Sequence, residues 1–85
     1  MGAALSRYEK LYGKLDNNKN NVSWADLDKL LKHHGFTLQA NNSTHKVYVH
    51  DQLIEQVTIV IKDKKVKLPI YVDKALKAIK KVTID

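Results

Sequence analysis

One stretch decides the fold: residues 23–40, SWADLDKLLKHHGFTLQA, in which the spacing of the apolar residues changes at Gly35. Upstream of the glycine, apolar side chains recur with the 3.6-residue period of a helix, behind a serine suited to cap it. Downstream, Phe36, Leu38 and Ala40 alternate with polar residues, which is the two-residue period of a strand. Glycine suits the left-handed conformation that ends many helices. The stretch therefore predicts a helix that passes almost directly into a strand.

Two more strands with the same period follow. Val47 and Val49 occupy every second position in the second strand, and Val57, Ile59 and Ile61 do the same in the third, with Thr58 and Val60 between them. Residues that favour turns separate the three runs. Because the connections are short, the three strands are expected to form an antiparallel meander.

A helix is predicted near each end of the chain. Pro69 suits the first turn of a helix because a proline lacks the N–H that would be unpaired there. An apolar stripe follows it: Val72, Ala75, Leu76, Ile79 and Val82. Near the N-terminus, residues 6–9 have the form of a capping box. Apolar side chains recur at helical spacing around that box: Leu5, Tyr8, Leu11, Tyr12 and Leu15.

The predicted order of elements is α, α, β, β, β, α. A chain of 85 residues is expected to form one domain, residues 1–85, because a shorter unit would bury too little surface. Residues 1–21 are expected to be a helix and loop extension, and residues 22–85 the core. The core has the order α-β-β-β-α, an α+β fold with a three-stranded antiparallel sheet and helices on one face. The double-stranded RNA-binding domain has the same order.

Composition limits the partners. Fifteen Lys and Arg against nine Asp and Glu give a net charge of +6, which favours RNA, DNA or an acidic protein as a partner, or simply keeps the chain dissolved. The absence of cysteine excludes disulfides and thiolate chemistry. No apolar run approaches the ~18 to 20 residues that span a bilayer. We therefore expect a cytoplasmic protein without a membrane partner.

His45 is the main candidate for chemistry. It lies in residues 42–48, NSTHKVY, where a polar loop enters the second strand. Because His45 has the strand parity of Val47 and Val49, we expect it at the rim of the helix-covered face, with a partly exposed ring. Imidazole titrates near neutral pH and can transfer protons. The alternative is a rim histidine that only bonds a neighbour.

The other candidate residues are a tryptophan, three histidines and a basic run. Trp24 either packs in the core or stacks on a base. His33 and His34 point about 100° apart on a helix, and His50 has the opposite strand parity to His45, so we expect no metal and no cofactor. The basic run is either a solvated face or one wall of a groove for a phosphate backbone, and it contains Lys62, Lys64, Lys65 and Lys67.

From about residue 22 to residue 82, these motifs resemble the HicA family of small toxin ribonucleases. The family pattern Leu-Leu-x-x-x-Gly-Phe is matched by residues 30–36, LLKHHGF. The family's Gly-Ser-His, followed by an aromatic residue, is matched by residues 43–45, STH, and then Tyr48. The lysine-containing link into the last helix is matched by residues 62–69.

The resemblance implies a metal-independent endoribonuclease that cuts mRNA and is bound by a HicB-type antitoxin. It makes His45 the catalytic general base or acid, for attack of a ribose 2′-hydroxyl on the adjacent phosphate. His50 and Lys46 are candidates for a second proton-transfer group. The residues it assigns to RNA binding are Ser43, Thr44, Lys46, Lys62, Lys64, Lys65 and Lys67.

This chain departs from the family pattern at two positions. Ser43 replaces the family's glycine, and Lys46 replaces a histidine that many members carry. A non-glycine residue narrows the backbone conformations open to the loop. The lysine adds attraction for phosphate but removes a possible acid. The alternative function is a non-catalytic module on the same fold that binds RNA or an antitoxin.

Overall fold

The computed structural model describes residues 6–83, which form three helices and four strands. The helices are α1 (Arg7–Asn17), α2 (Trp24–His33) and α3 (Pro69–Thr83). The strands are β1 (Thr37–Asn41), β2 (His45–Val49), β3 (Val57–Lys62) and β4 (Lys65–Val66). They form one antiparallel sheet in the order β1-β2-β3-β4. The α+β class is therefore confirmed.

The expected three-stranded sheet is wrong by one strand. The lysine-containing link expected to lead into the last helix instead turns back on β3 as a hairpin, with Asp63 and Lys64 in the left-handed region at φ 53° and 67°. Two positive φ values match the twist of a two-residue hairpin turn. Val66 in β4 is buried, and its N–H donates to the Val22 carbonyl at 2.9 Å. A strand of two residues is too short to show a period, so its sequence carries no signal.

The predicted helix ends are confirmed where local hydrogen bonds decide them. Both bonds of the capping box form between Ser6 and Glu9, at 3.0 and 3.1 Å. Ser23 accepts from the Asp26 N–H at 3.2 Å at the start of α2, and α3 begins at Pro69. Leu5, the first residue of the predicted α1 stripe, lies outside the described residues.

The hydrophobic core lies between the sheet and the helices. Its largest fully buried members come from α2, α3 and the two central strands: Tyr48, Leu27, Leu30, Leu31, Ile59, Leu76 and Ile79. Helix α1 belongs to the same core, since Leu15 is 2 % exposed and the Tyr12 hydroxyl donates to the Leu76 carbonyl at 3.2 Å. Within residues 6–83, no helix has the length and apolarity needed to cross a membrane.

The side of β2 that faces the helices is the opposite of the predicted side. Tyr48 is 0 % and Lys46 is 6 % exposed, whereas Val47 and Val49 are half-buried and His45 is exposed. The prediction that His45 lies on the helix-covered side is therefore wrong, although its shared parity with the two valines is correct. The valine alternation misleads because a tyrosine and a lysine can also be buried when their polar atoms have partners.

Candidate nucleic-acid interface

Two loops meet at one end of the sheet. His45 pairs with Val60 across β2 and β3, and the Ile61 N–H donates to the Thr44 carbonyl at 2.8 Å. This pairing places the β1–β2 loop beside the β3–β4 turn. We call the two segments, residues 43–45 and 62–65, the basic corner.

His45 lies on the solvent face of the sheet at this corner. Residues that pair directly across an antiparallel ladder share a face, so His45 and Val60 point to the same side. Lys62 has the parity of Val60 and is therefore a diagonal neighbour of His45, which in a sheet means about 7–8 Å between the two positions. A phosphate held against the imidazole is within reach of this lysine side chain.

Thr44 orients the imidazole. Its Oγ1 lies 2.9 Å from His45 Nδ1, and both side chains are exposed, as is Ser43. In the tautomer that carries its hydrogen on Nδ1, the ring donates to Thr44 and leaves the Nε2 lone pair facing solvent. That tautomer is the one a general base requires.

The predicted RNA-binding lysines of the hairpin are brought to this corner. Lys62, Lys64 and Lys65 are exposed, and Lys67 lies level with His45 because its N–H donates to the Val60 carbonyl at 2.8 Å. Of these four amines, the Lys65 amine donates to an asparagine side chain at 3.0 Å. None of the four is in an ion pair among residues 6–83. With Asp63 as the one carboxylate of the hairpin turn, the corner carries a net positive charge.

Lys46 is not at this surface. Its side chain points to the helices, with the ammonium 4.4 Å from the centre of the Trp24 ring. The ammonium donates to the Asn41 side chain and, at 2.6 Å, to the Asn42 carbonyl. Because the ammonium makes these contacts, it is not available to bind a phosphate. Lys46 instead holds the end of β1, where the chain enters the loop of His45.

His50, the other candidate for a second proton-transfer group, also bonds other groups through both ring nitrogens. The Gln52 N–H donates to its Nδ1 at 3.0 Å, so its hydrogen is on Nε2, which donates to the His34 carbonyl at 2.9 Å. Its ring also packs against Phe36. Neither His50 nor Lys46 therefore lies beside His45.

A buried polar network under β2 was not predicted. Trp24 Nε1 donates to the Tyr48 hydroxyl at 2.9 Å, and that hydroxyl donates to Asp28 Oδ1 at 2.6 Å. Burial, with the Asp28 bond adding to it, raises the pKa of Tyr48 far above its ordinary value. Asp28 also pairs with Lys32 at 3.2 Å. The spacing of Trp24, Asp28 and Lys32 along one line of α2 is the signal in the sequence that could have indicated this network.

The remaining histidines lie at the other end of α2. His33 stacks on Tyr8 with ring centres 3.6 Å apart. Burial, together with the nearby His33 and His50, lowers the pKa of His34. In the part of the chain that the structure describes, no three His, Asp or Glu side chains come close enough to hold a metal ion.

Comparisons with known proteins found no matching family model, no matching curated protein and no matching solved structure. The function is therefore proposed from the residues of the basic corner and from the motifs they carry.

Proposed function

We propose that this chain is a HicA-like, metal-independent endoribonuclease that binds and cleaves mRNA at the basic corner. The observation that carries the proposal is the position of His45, an exposed imidazole beside a lysine-bearing hairpin. The net charge of +6 adds long-range attraction for RNA. The motif around residues 43–45 supports the same role.

In the proposed reaction, His45 Nε2 takes the proton of a ribose 2′-hydroxyl. The 2′-oxygen then forms a bond to the adjacent phosphorus, and the bond from phosphorus to the 5′-oxygen breaks. The products are a 2′,3′-cyclic phosphate and a 5′-hydroxyl end, whose proton comes from water. Lys62, Lys64 and Lys65 stabilise the extra negative charge on the phosphate as it forms.

Cleavage of single-stranded RNA in EDTA tests this proposal. The native chain is expected to leave 2′,3′-cyclic phosphate ends, and His45→Ala to cleave about 10²- to 10⁴-fold more slowly, the range that a general base contributes. His33→Ala is the matched control, because His33 is also exposed but lies on α2, at the far end of the sheet. Equal cleavage by the native chain and His45→Ala, or none by the native chain, would overturn the catalytic role.

One observation favours the second candidate, a non-catalytic module that binds RNA or an antitoxin. Among residues 6–83 the two candidates for a second proton-transfer group, Lys46 and His50, both bond other groups away from His45. A labelled 2′-deoxy oligonucleotide measures binding without cleavage. The module would be supported if RNA binds with the same salt dependence as the 2′-deoxy oligonucleotide and is recovered uncut.

The proposed partner is an acidic, HicB-type antitoxin in the cytoplasm. The positive corner supports this part of the proposal because a carboxylate-rich surface would cover it and exclude RNA. The adjacent reading frame provides a simple check. A short acidic protein with a DNA-binding end would support the pair, and its absence would count against a toxin–antitoxin assignment.

A further inference from the structure

A concave surface lies at the opposite end of β3 from the basic corner. It is a groove of about 560 Å³ between residues 52–58, which include the β2–β3 loop and the start of β3, and one side of α3. The residues that α3 contributes to it are Tyr71, Lys74, Lys77, Ala78 and Lys81. We call it the α3 groove. Val57 begins β3 in this groove and Lys62 ends the strand at the basic corner, so the two sites are separate.

The groove combines an apolar floor with a cationic rim. Val57 and Ala78 are buried, Leu53 is half-buried, and Ile54 is fully exposed beside them. An isoleucine side chain that stands entirely in water gains nothing from the monomer, and apolar surface next to a concave site is typical of an interaction surface. The floor therefore suits a ligand that brings apolar side chains of its own.

The rim determines the sign of the ligand's charge. Lys74, Lys77 and Lys81 follow one line of α3, at intervals of three and four residues. Lys77 pairs with Asp73 at 3.0 Å, whereas Lys74 and Lys81 are in no ion pair among residues 6–83. Glu55 is the one carboxylate among the residues that line the groove. The rim therefore complements an acidic ligand.

The backbone of β3 determines the ligand's shape. Strand β4 pairs only with Ile61 and Lys62, so the first half of this edge of β3 has no strand partner. The Val60 carbonyl bonds outward to the Lys67 N–H. Because outward and inward backbone groups alternate in an antiparallel ladder, the N–H and C=O of Thr58 also point outward, into the groove. An extended segment can use these two groups, as in β-strand addition.

We propose that the α3 groove binds an extended acidic segment of a partner protein, in which apolar side chains alternate with carboxylates. The backbone of the segment bonds Thr58, its apolar side chains contact Ile54 and the floor, and its carboxylates face Lys74 and Lys81. Nucleic acid has the charge but not the apolar side chains that this floor fits. The proposal is independent of catalysis by His45, and a segment bound here leaves the basic corner open.

Titration of the ¹⁵N-labelled chain with a nine-residue peptide of alternating glutamate and valine, followed by NMR, tests the proposal. Amide shifts are expected at residues 53–58 and along α3. The double variant Lys74→Glu with Lys81→Glu is expected to weaken binding at least about tenfold, because two attractive contacts become repulsive. The matched control is Lys10→Glu with Lys29→Glu, which makes the same change of net charge on exposed residues of α1 and α2 and is expected to weaken binding less than about threefold.

A third variant tests the apolar contact. Ile54→Ser is expected to weaken binding while leaving the midpoint of thermal unfolding unchanged, because the native side chain packs against nothing. Three outcomes would overturn the proposal: no shifts at millimolar peptide, shifts centred on the basic corner, or an equal loss of binding in the two double variants. Displacement of the peptide from the groove by a single-stranded DNA oligonucleotide would assign the site to nucleic acid instead.

Discussion

Replacing Tyr48 by phenylalanine tests the buried network that sets the orientation of β2. The change removes one oxygen from a fully buried side chain and leaves its ring in place. The lost hydroxyl accepts from Trp24 Nε1 at 2.9 Å and donates to Asp28 Oδ1 at 2.6 Å. Both partners are half-buried, so each loses a bond that water replaces only in part.

The expected cost follows from these two bonds. Losing the neutral bond to Trp24 costs about 1 kcal/mol, and losing the bond to a carboxylate costs about 1.5–3 kcal/mol. Asp28 keeps its pair with Lys32, and its side chain is 19 % exposed, which reduces the second cost toward the lower limit. We expect a loss of about 2.5 kcal/mol in the free energy of unfolding. For a domain of this size, that loss lowers Tm by roughly 10–20 °C.

Urea and thermal unfolding followed by circular dichroism measure this loss. Tyr71→Phe is the control, because the half-buried Tyr71 packs against the same core but its hydroxyl makes no hydrogen bond to residues 6–83. The control is expected to change the free energy of unfolding by less than about 0.5 kcal/mol. A Tyr48→Phe variant as stable as the control would refute the view that the network holds β2 in this orientation.

Four further predictions concern pH and the loop of His45. Burial raises the pKa of Tyr48, and to a lesser extent that of Tyr12, so these hydroxyls ionise at a lower pH in the unfolded chain than in the folded chain. The free energy of unfolding that this difference contributes is present below pH 10 and is expected to fall above it in urea titrations. Burial lowers the pKa of His34, so stability present above pH 6.5 is expected to fall as the pH drops below that value, and His34→Asn should flatten this dependence. Thr44→Val is expected to lower kcat of RNA cleavage with KM nearly unchanged, and Thr44→Ser to restore it, because the hydroxyl orients the imidazole; loss in both variants would count against this role. Lys46→Met is expected to speed amide exchange in the β1–β2 loop about tenfold or more with little loss of overall stability, since the buried charge is removed along with its bonds. Unchanged exchange would show that Lys46 does not hold the loop.

The helices could be predicted because short-range interactions decide them. The Ser6 and Ser23 caps each bond an N–H three residues away, and Gly35 reaches φ +89° at the end of α2. The apolar stripe of α3 is equally local, since one turn brings its members together. Strand β4 could not be predicted in this way. Its two residues form a strand only because β3 and Val22 provide partners.

The candidate site was predicted in part. A His45 that begins a strand with a partly exposed ring follows from the loop before it and from period-two alternation after it. The face of the sheet on which it lies does not follow. The nearness of Lys62 and Lys65 to His45 does not follow, because it depends on a pairing register between β2 and β3 and on a turn at Asp63. The α3 groove also has no signature in the sequence, since its two walls come from separate segments, residues 52–58 and residues 71–81.

The sequence by itself therefore determined the helices, the period of the strands, an imidazole at the start of one strand and lysines after another, because these depend on neighbours within a few residues. Only the tertiary structure decided which face of β2 is covered. Either face of a strand can be covered by the helices until partners satisfy the polar atoms of the side chains on one face. Trp24 and Asp28, more than fifteen residues away, provide the hydrogen bonds that let Tyr48 be buried. That choice places Lys46 inside the fold and leaves His45 facing solvent.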